Sequence, residues 1–224
     1  MHKITAWRGN GPIKGDFFGD SIVRWRKLQN AVSDEVMAGL RNLSSTVTLK
    51  TLNPTRFASR RDAIFALKER LPRVLKCLTE IILISKKSPE VAVSIGLKKK
   101  IESFEFIFLL ILQDKILQIV NIPSKSLQSV TIDLFTARDL LKTALADVSG
   151  LRNKFPDLKL EASARCQKLD IDDQFPEKRN RQAKRHFDEL AVDHRFSDPE
   201  ELFRIKTFLP MIDTVVTQLD TRFE

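Results

Sequence analysis

The stretch Phe104-Glu-Phe-Ile-Phe-Leu-Leu-Ile-Leu112 is the most apolar part of this chain, and the other segments must fold around it. Its continuation, Ile116-Leu-Gln-Ile-Val-Asn-Ile122, keeps this character until Pro123, where we expect the segment to end. Apolar residues on nearly every face are typical of a helix that is buried on most sides. A membrane span needs about 20 consecutive apolar residues, whereas Asp114 and Lys115 interrupt this run. We therefore expect the core helix of a soluble protein with no membrane partner.

The composition points to helices throughout. The chain has 224 residues, 42% hydrophobic and 30% charged, with only 7 glycines and no tyrosine. These values are ordinary for a folded protein and too apolar for a disordered one. We predict an all-α fold, an irregular multi-helix array around the buried central helix. Residues 1–15 are expected to form a flexible tail and residues 16–224 the helical region, with an exposed basic loop at 170–186.

Several amphipathic segments can supply partners for the central helix. Pro72 lies inside one of them and should kink or split it, because proline has no backbone N–H to donate. Helix starts are predicted at Ser88, Thr131 and Asp198, whose side chains can accept from first-turn amides. The apolar positions expected to be buried are Phe17, Phe18, Ile22, Trp25 and Leu28; Ile64, Leu67, Leu71, Leu75, Leu78 and Ile82; and Leu134, Leu141, Leu145, Val148 and Phe155.

The last predicted helix has the clearest start, Asp198-Pro199 followed by Glu201. Its apolar stripe recurs every three or four residues. The stripe consists of Ile205, Phe208, Ile212, Val215, Leu219 and Phe223. Because it still runs at Phe223 with no C-cap, the pattern suggests a truncated C-terminus or one that packs on a protein partner or a second copy.

The residues offer no catalytic constellation. There is no phosphate-binding glycine loop, no HExxH pair and no nucleophile elbow. Cys77 and Cys166 give neither a disulfide framework nor a zinc site, which favours a reducing compartment. We therefore expect no metal, no cofactor and no enzymatic activity. The net charge of +9 fits an acidic partner such as nucleic acid, although many basic proteins bind none.

Two basic features are candidates for DNA binding. Arg56, Phe57, Arg60 and Arg61 combine guanidinium groups with an aromatic ring, which together can hold phosphate and stack on an unpaired base. Alternatively, Phe57 is simply the first core residue of the next helix. The segment from Glu177 to His186 carries five Lys/Arg in ten residues, a pattern typical of backbone binding, of a nuclear localisation signal or of a solvated loop. The basic residues of that segment are Lys178, Arg179, Arg181, Lys184 and Arg185.

Taken in order, these motifs resemble the helical central region of hAT-superfamily transposases, in the branch related to zinc-finger MYM-type proteins. The similarity runs from about Asp16 to the end of the chain. It rests on Phe17-Phe-Gly-Asp-Ser21 with Arg24-Trp25, Leu49–Arg60 with Asp62-Ala63, Phe104-Glu-Phe106, Ser124–Ser129, Phe175-Pro-Glu-Lys-Arg179, and Phe203–Asp213 with Leu219 and Arg222-Phe223.

The resemblance implies that the chain is mostly the helical insertion of such a transposase. The family's RNase H-like core uses three acidic residues and divalent metal, and these acids would lie before Asp16 and after Glu224. The zinc-finger modules are absent, and Phe57 stands where the family usually has tryptophan. We therefore expect a non-catalytic, domesticated transposon derivative or pseudo-enzyme, nuclear or otherwise cytoplasmic, with weak sequence-nonspecific DNA binding. The alternative is a helical protein–protein interaction module that does not bind nucleic acid.

Overall fold

A computed structural model describes residues 17–18, 21–24, 26–28, 57–129, 132–177 and 198–223, and every regular element among them is a helix. The predicted all-α fold is confirmed. The elements are α1 (Phe57–Ile84), α2 (Ser88–Ile101), α3 (Phe104–Ser126), α4 (Leu134–Gly150), a 3₁₀ turn (Leu151–Lys154), α5 (Phe155–Lys168), α6 (Pro199–Phe203), a π-helical turn (Arg204–Phe208) and α7 (Leu209–Phe223). Short helical pieces at 17–18, 22–24 and 26–28 precede them. The predicted tail at 1–15 lies outside the described residues.

Helix α3 is the centre of the fold, as its sequence predicts. Phe106, Leu110, Leu112 and Ile116 are buried and Leu109 is partly buried. The helix packs against α1, α4 and α5. By length and composition alone it could cross a membrane, but 67% of its most apolar window is buried against other helices, as in a core helix.

Helix α3 begins after Ser103 and extends beyond its predicted end. Its N-cap is Ser103, whose hydroxyl accepts from the backbone N–H of Phe106 at 3.3 Å. The expected end at Pro123 is wrong, because the helix continues to Ser126. One backbone donor is lost at Pro123, but the chain re-forms a turn when the Leu127 N–H donates to the Pro123 carbonyl at 2.8 Å.

The other predicted helix starts were partly wrong. Ser88 is the first residue of α2 and Lys87 its N-cap, without a side-chain hydrogen bond. Helix α4 is capped by Asp133, which accepts from the Thr136 N–H, so the predicted start at Thr131 is two residues early. Asp198 caps α6 as predicted, accepting from the Glu200 N–H at 3.0 Å.

Helix α1 runs through Pro72 for 28 residues, so the predicted split is wrong. Leu71 and Val74, on either side of the proline, are fully buried. Packing on both sides therefore offsets the missing hydrogen bond. Helices α1 and α3 run in opposite directions, because Lys68 contacts Asp114 while Ile82 borders the same groove as Glu102.

A buried polar junction joins α1, α3 and α5. Lys68 Nζ lies 2.6 Å from Asp114 Oδ2, and Arg165 donates from Nη2 to the Lys68 carbonyl. Asp114 is buried, and its Oδ1 has no hydrogen-bond partner among the described residues. Because the buried carboxylate of Asp114 needs the ammonium group of Lys68 as its partner, this ion pair fixes the position of α1 along α3.

Six phenylalanines form a second packing centre, the phenylalanine cluster. They come from α3, α5, the segment after α5, and the helical rod formed by α6, the π turn and α7. The members are Phe104, Phe108, Phe155, Phe175, Phe203 and Phe208. The ring of Phe108 lies 5.2 Å from that of Phe155, 5.2 Å from that of Phe203 and 5.9 Å from that of Phe208.

Residues 170–177 of the predicted exposed loop are irregular and mostly exposed, but two of their side chains are buried. Ile171 and Phe175 are buried, and the Phe175 ring lies 4.7 Å from that of Phe104. This segment is irregular, but it anchors in the core through its two large apolar side chains. Residues 178–186 lie outside the described residues.

The C-terminal stripe is displaced from its predicted face. Phe203 and Phe208 are both buried although they lie five residues apart, because the π turn between them contains one more residue than an α-helical turn. Ile205 of the predicted stripe is 37% exposed. Of the other stripe residues, Ile212 is buried and Val215 and Leu219 are partly buried.

Two more predicted core residues are exposed at the ends of helices. Leu134 is 83% exposed because it is the first residue of α4, one position after the cap. Ile22 is 73% exposed, whereas Phe18 and Leu28 from the same predicted stripe are buried. Helical spacing identifies a common face only where the helix packs along its length.

Candidate nucleic-acid interface

The predicted aromatic–arginine motif opens helix α1. Phe57 is the first helical residue. Arg60 and Arg61 follow within the first two turns and are half-buried, and Arg60 already interacts with another group of the protein. Arg56 lies outside the described residues. Of this motif, the described side chains are those of Arg60 and Arg61, which are consecutive residues of α1.

The second predicted motif cannot be placed. Lys178, Arg179, Arg181, Lys184 and Arg185 all lie outside the described residues. The described chain stops at Glu177, two residues after Phe175 of the phenylalanine cluster, and resumes at Asp198.

Positive charge concentrates instead on α1 and α2. Between Phe57 and Ile101 the sequence has eleven Lys/Arg and four Asp/Glu. Some of these cations are used internally, as Lys68 is in the buried junction. Others are exposed, namely Lys76, Lys86 and Lys87 on α1 and in the turn before α2, and Lys99 and Lys100 near the end of α2.

An ion pair holds the N-terminal pieces to α2. Arg24 Nη1 lies 3.2 Å from Glu90 Oε1, and Ser85 Oγ donates to Glu90 Oε2 at 2.5 Å. The hydrogen bond from Ser85, together with the charge and hydrogen bond of Arg24, lowers the pKa of the Glu90 carboxyl. Arg24 also lies over the ring of Phe17, 4.5 Å from its centroid. The turn between α1 and α2 is thereby fastened to the residues before α1.

This contact assembles a surface that we call the basic rim. Its members are Arg26, Lys76, Lys86 and Lys87, all exposed. Lys27 lies close enough to Cys77 to influence its pKa, which places residues 26–28 beside α1. Within the described part of the chain, no carboxylate lies at ion-pair distance from a side chain of the basic rim.

Sequence reasoning missed the basic rim because its residues come from three separate segments. The Lys86-Lys87 pair was a visible signal in the sequence, but nothing in the spacing shows that the segment of Arg26 packs beside α1, which carries Lys76. Only the packing of the N-terminal pieces on α1 and α2 brings these charges together.

A shallow groove lies on the same side of the molecule, between α1 and α2. Ile82, Ile95, Lys98, Lys99 and Glu102 line its volume of about 430 Å³. We call it the α2 groove. Its walls are aliphatic and its edges carry two ammonium groups and one carboxylate.

The described residues contain no group of three His, Cys, Asp or Glu side chains placed to hold a metal ion. Burial raises the pKa of Cys77 and of Cys166 to about 11, so both are neutral thiols near pH 7 rather than thiolate nucleophiles.

Comparison with known proteins gives no relative for this chain. No protein-family model, no curated protein and no solved structure matches it. The resemblance to hAT-superfamily transposases therefore stays a prediction from the quoted motifs.

Proposed function

We propose that this chain is a non-catalytic helical module, derived from a hAT-like transposase, that binds the phosphate backbone of DNA without sequence preference. The observation that carries the proposal is the basic rim. Four exposed cations come from three segments that the Arg24–Glu90 ion pair and the packing of residues 26–28 beside α1 hold together, and Glu90 is the described carboxylate whose charge interacts with one of them, Lys87. A nuclear location follows from such a function.

Lysine suits this role because its ammonium group acts as a point charge, without the planar fork that reads a base edge. Contacts to phosphate position a protein on DNA but carry no sequence information. Each neutralised phosphate releases counterions, so four contacts should give a salt slope of about −3 to −4 in a plot of log K against log salt.

The test is a mobility-shift titration of duplex DNA from about 50 to 200 mM salt, the range over which phosphate contacts lose most affinity. A variant with Arg26, Lys76, Lys86 and Lys87 changed to Gln should lose most of the binding and flatten the slope by several units. The matched control changes four exposed lysines elsewhere, Lys142, Lys154, Lys168 and Lys206, to Gln. Equal losses in both variants would mean that net charge alone is responsible.

The two predicted motifs extend this proposal. Changing Lys178, Arg179, Arg181, Lys184 and Arg185 to Ala should also flatten the salt slope if that segment contacts phosphate. Changing Phe57 to Ala should weaken only single-stranded or hairpin-ended DNA, because stacking needs an unpaired base and contributes about 1–3 kcal/mol. Nicking or joining of DNA by the pure protein with Mg²⁺ or Mn²⁺ would contradict the non-catalytic proposal.

A protein-interaction module is the second candidate function. It is favoured by large aliphatic side chains exposed on α1 and α2, namely Leu83, Ile84, Val93 and Ile95. Aliphatic groups have no role in phosphate binding. The partly buried stripe of α7 offers a further surface for a partner or a second copy. This function would be favoured if the protein caused no mobility shift of DNA at low salt but captured a protein partner at every salt concentration.

A further inference from the structure

The α2 groove combines apolar walls with positively charged edges. Ile82 of α1 and Ile95 of α2 form its aliphatic lining, and Ile95 is 50% exposed. Ile95 is therefore a half-exposed aliphatic side chain that lines a groove. Such a side chain favours contact with an apolar group of a binding partner, because the contact removes it from water. This groove lies at the C-terminal part of α2, whereas Lys86 and Lys87 of the basic rim precede that helix.

The charges at the groove are only partly neutralised. Lys98 Nζ lies 3.7 Å from Glu102 Oε1, a long ion pair between exposed groups. Lys99 and Lys100 have no ion-pair partner within the described ranges. The three consecutive lysines thus leave a net positive edge that matches carboxylates on an incoming molecule.

The backbone of α2 is also accessible beside the groove. Gly96 is exposed, and a Cβ built on it would have no atom within 4 Å. The open space at Gly96 therefore leaves room for a partner at the flank of the groove.

We propose that the α2 groove binds an acidic amphipathic helix of a protein partner. The partner's apolar stripe packs on Ile82 and Ile95, and its flanking Asp or Glu side chains pair with Lys98 and Lys99. The groove lining runs from Ile95 to Glu102, about 10 Å at 1.5 Å per residue, which matches about two turns of a partner helix. This binding is separate from the proposed DNA contact and uses different lysines.

The groove suits a peptide better than the two other anionic partners. Nucleic acid would gain from aromatic rings on which bases stack, and the groove lining has none. An anionic membrane surface is broad and would meet the carboxylate of Glu102 at the groove edge, whereas a single helix can pair around it.

The test uses the full chain and a fluorescein-labelled 15-residue peptide with leucines at helical spacing and glutamates elsewhere. Fluorescence anisotropy should show binding that weakens with salt. The pair Lys98→Glu and Lys99→Glu should reduce affinity about tenfold or more, because reversed charges repel the partner. Ile95→Ser should reduce it about fivefold or more through lost apolar burial. The matched control, Lys142→Glu with Lys154→Glu, should stay within about twofold, since exposed charges outside the contact contribute little.

Several results would overturn the proposal. One is equal binding of a peptide with lysine in place of every glutamate, and another is unchanged affinity in both groove variants. Binding of phosphatidylserine vesicles or of duplex DNA that depends on Ile95, without peptide binding, would assign the groove to lipid or nucleic acid instead. Circular dichroism and Tm of each variant check folding. The charge reversal changes only surface residues, so it remains informative whatever Ile95→Ser does to folding.

Discussion

The phenylalanine cluster and helix α2 differ in burial: the side chains of the cluster are buried, whereas most of those of α2 are not. All six rings of the cluster are buried, and they join segments up to 104 residues apart in the chain, from Phe104 to Phe208. Of the 14 residues of α2, only Ser94 and Ile101 are buried. Stability therefore concentrates where apolar side chains from distant segments meet, while α2 leaves its charged and aliphatic side chains available for binding. Substitutions in the two regions should differ in kind: loss of folding in the first, loss of binding in the second.

The largest effect is expected at the centre of the phenylalanine cluster. Phe108→Ala removes a fully buried ring that contacts several others and should lower the free energy of unfolding by about 3–5 kcal/mol. Chemical denaturation followed by circular dichroism measures it. The control is Phe135→Ala on α4, where the ring is 71% exposed and the expected change is below about 0.5 kcal/mol. Similar losses in both variants would mean that Phe108 is not a centre of packing.

The next effect is expected at the buried junction of α1 and α3. Lys68→Met leaves Asp114 buried without its counter-ion and should cost about 2–3 kcal/mol, less than a fully buried pair because Lys68 is partly exposed. The double change Lys68→Met with Asp114→Leu should recover most of that loss, since no charge is then left unpaired. A double-mutant cycle in denaturant measures the coupling. If the double variant is as unstable as the single variants combined, the pair does not act as a unit.

A smaller effect of opposite sign is expected on α2. Gly96→Ala should raise the free energy of unfolding by about 0.5–1 kcal/mol, because alanine loses less entropy in a helix and no atom lies within 4 Å of the new methyl group. Thermal unfolding measures it, with Ala92→Gly on the same exposed face as the matched opposite change. If Gly96→Ala instead destabilises the protein, the added methyl group must clash with other atoms of the folded chain, and this face of α2 is not open.

The smallest effect concerns pH and the contact that assembles the basic rim. The pKa of Glu90 is lowered by Ser85 and Arg24, so its contribution to stability is present above the usual glutamate pKa of about 4.3 and is lost as pH falls through the lowered pKa. Glu90→Gln should therefore lower Tm relative to the parent at pH 7. Below about pH 4 the variant and the parent should have more similar Tm values. Glu201→Gln, an exposed change on α6, is the control. If the Tm of the Glu90→Gln variant differs from that of the parent by the same amount at both pH values, the stabilising effect of Glu90 does not come from its charge.

The central helix and the all-α class were predictable because they depend on local composition. An unbroken apolar run such as Phe104–Leu112 can only be buried, whatever its neighbours are. The cap at Asp198 was predictable for the same reason, since a side chain two residues from the amide it binds needs no tertiary contact.

The candidate site was predictable only in part. Arg60 and Arg61 lie on α1 near its start, as the motif suggested. The predicted exposed loop proved wrong at Phe175, because one ring in a polar segment can be buried only by partners that sequence spacing does not reveal. Similarly, no pattern predicted the π turn, which moved Ile205 to the surface and Phe203 into the core.

What the amino-acid sequence determined by itself is the helical class, the identity of the core helix and the excess of positive charge in the first half of the described helices. Each of these follows from residue type and from neighbours within about one helical turn. The tertiary structure alone decided which charges stay exposed and which are used internally. In particular, residues 26–28 lie beside α1 because Phe18 and Leu28 are buried in the core, which is the observed basis for grouping Arg26 with Lys76. The tertiary structure also decided that Lys68 pairs with Asp114 across 46 residues. Contacts between distant segments are set by shape and burial over the whole molecule, which a local pattern does not contain.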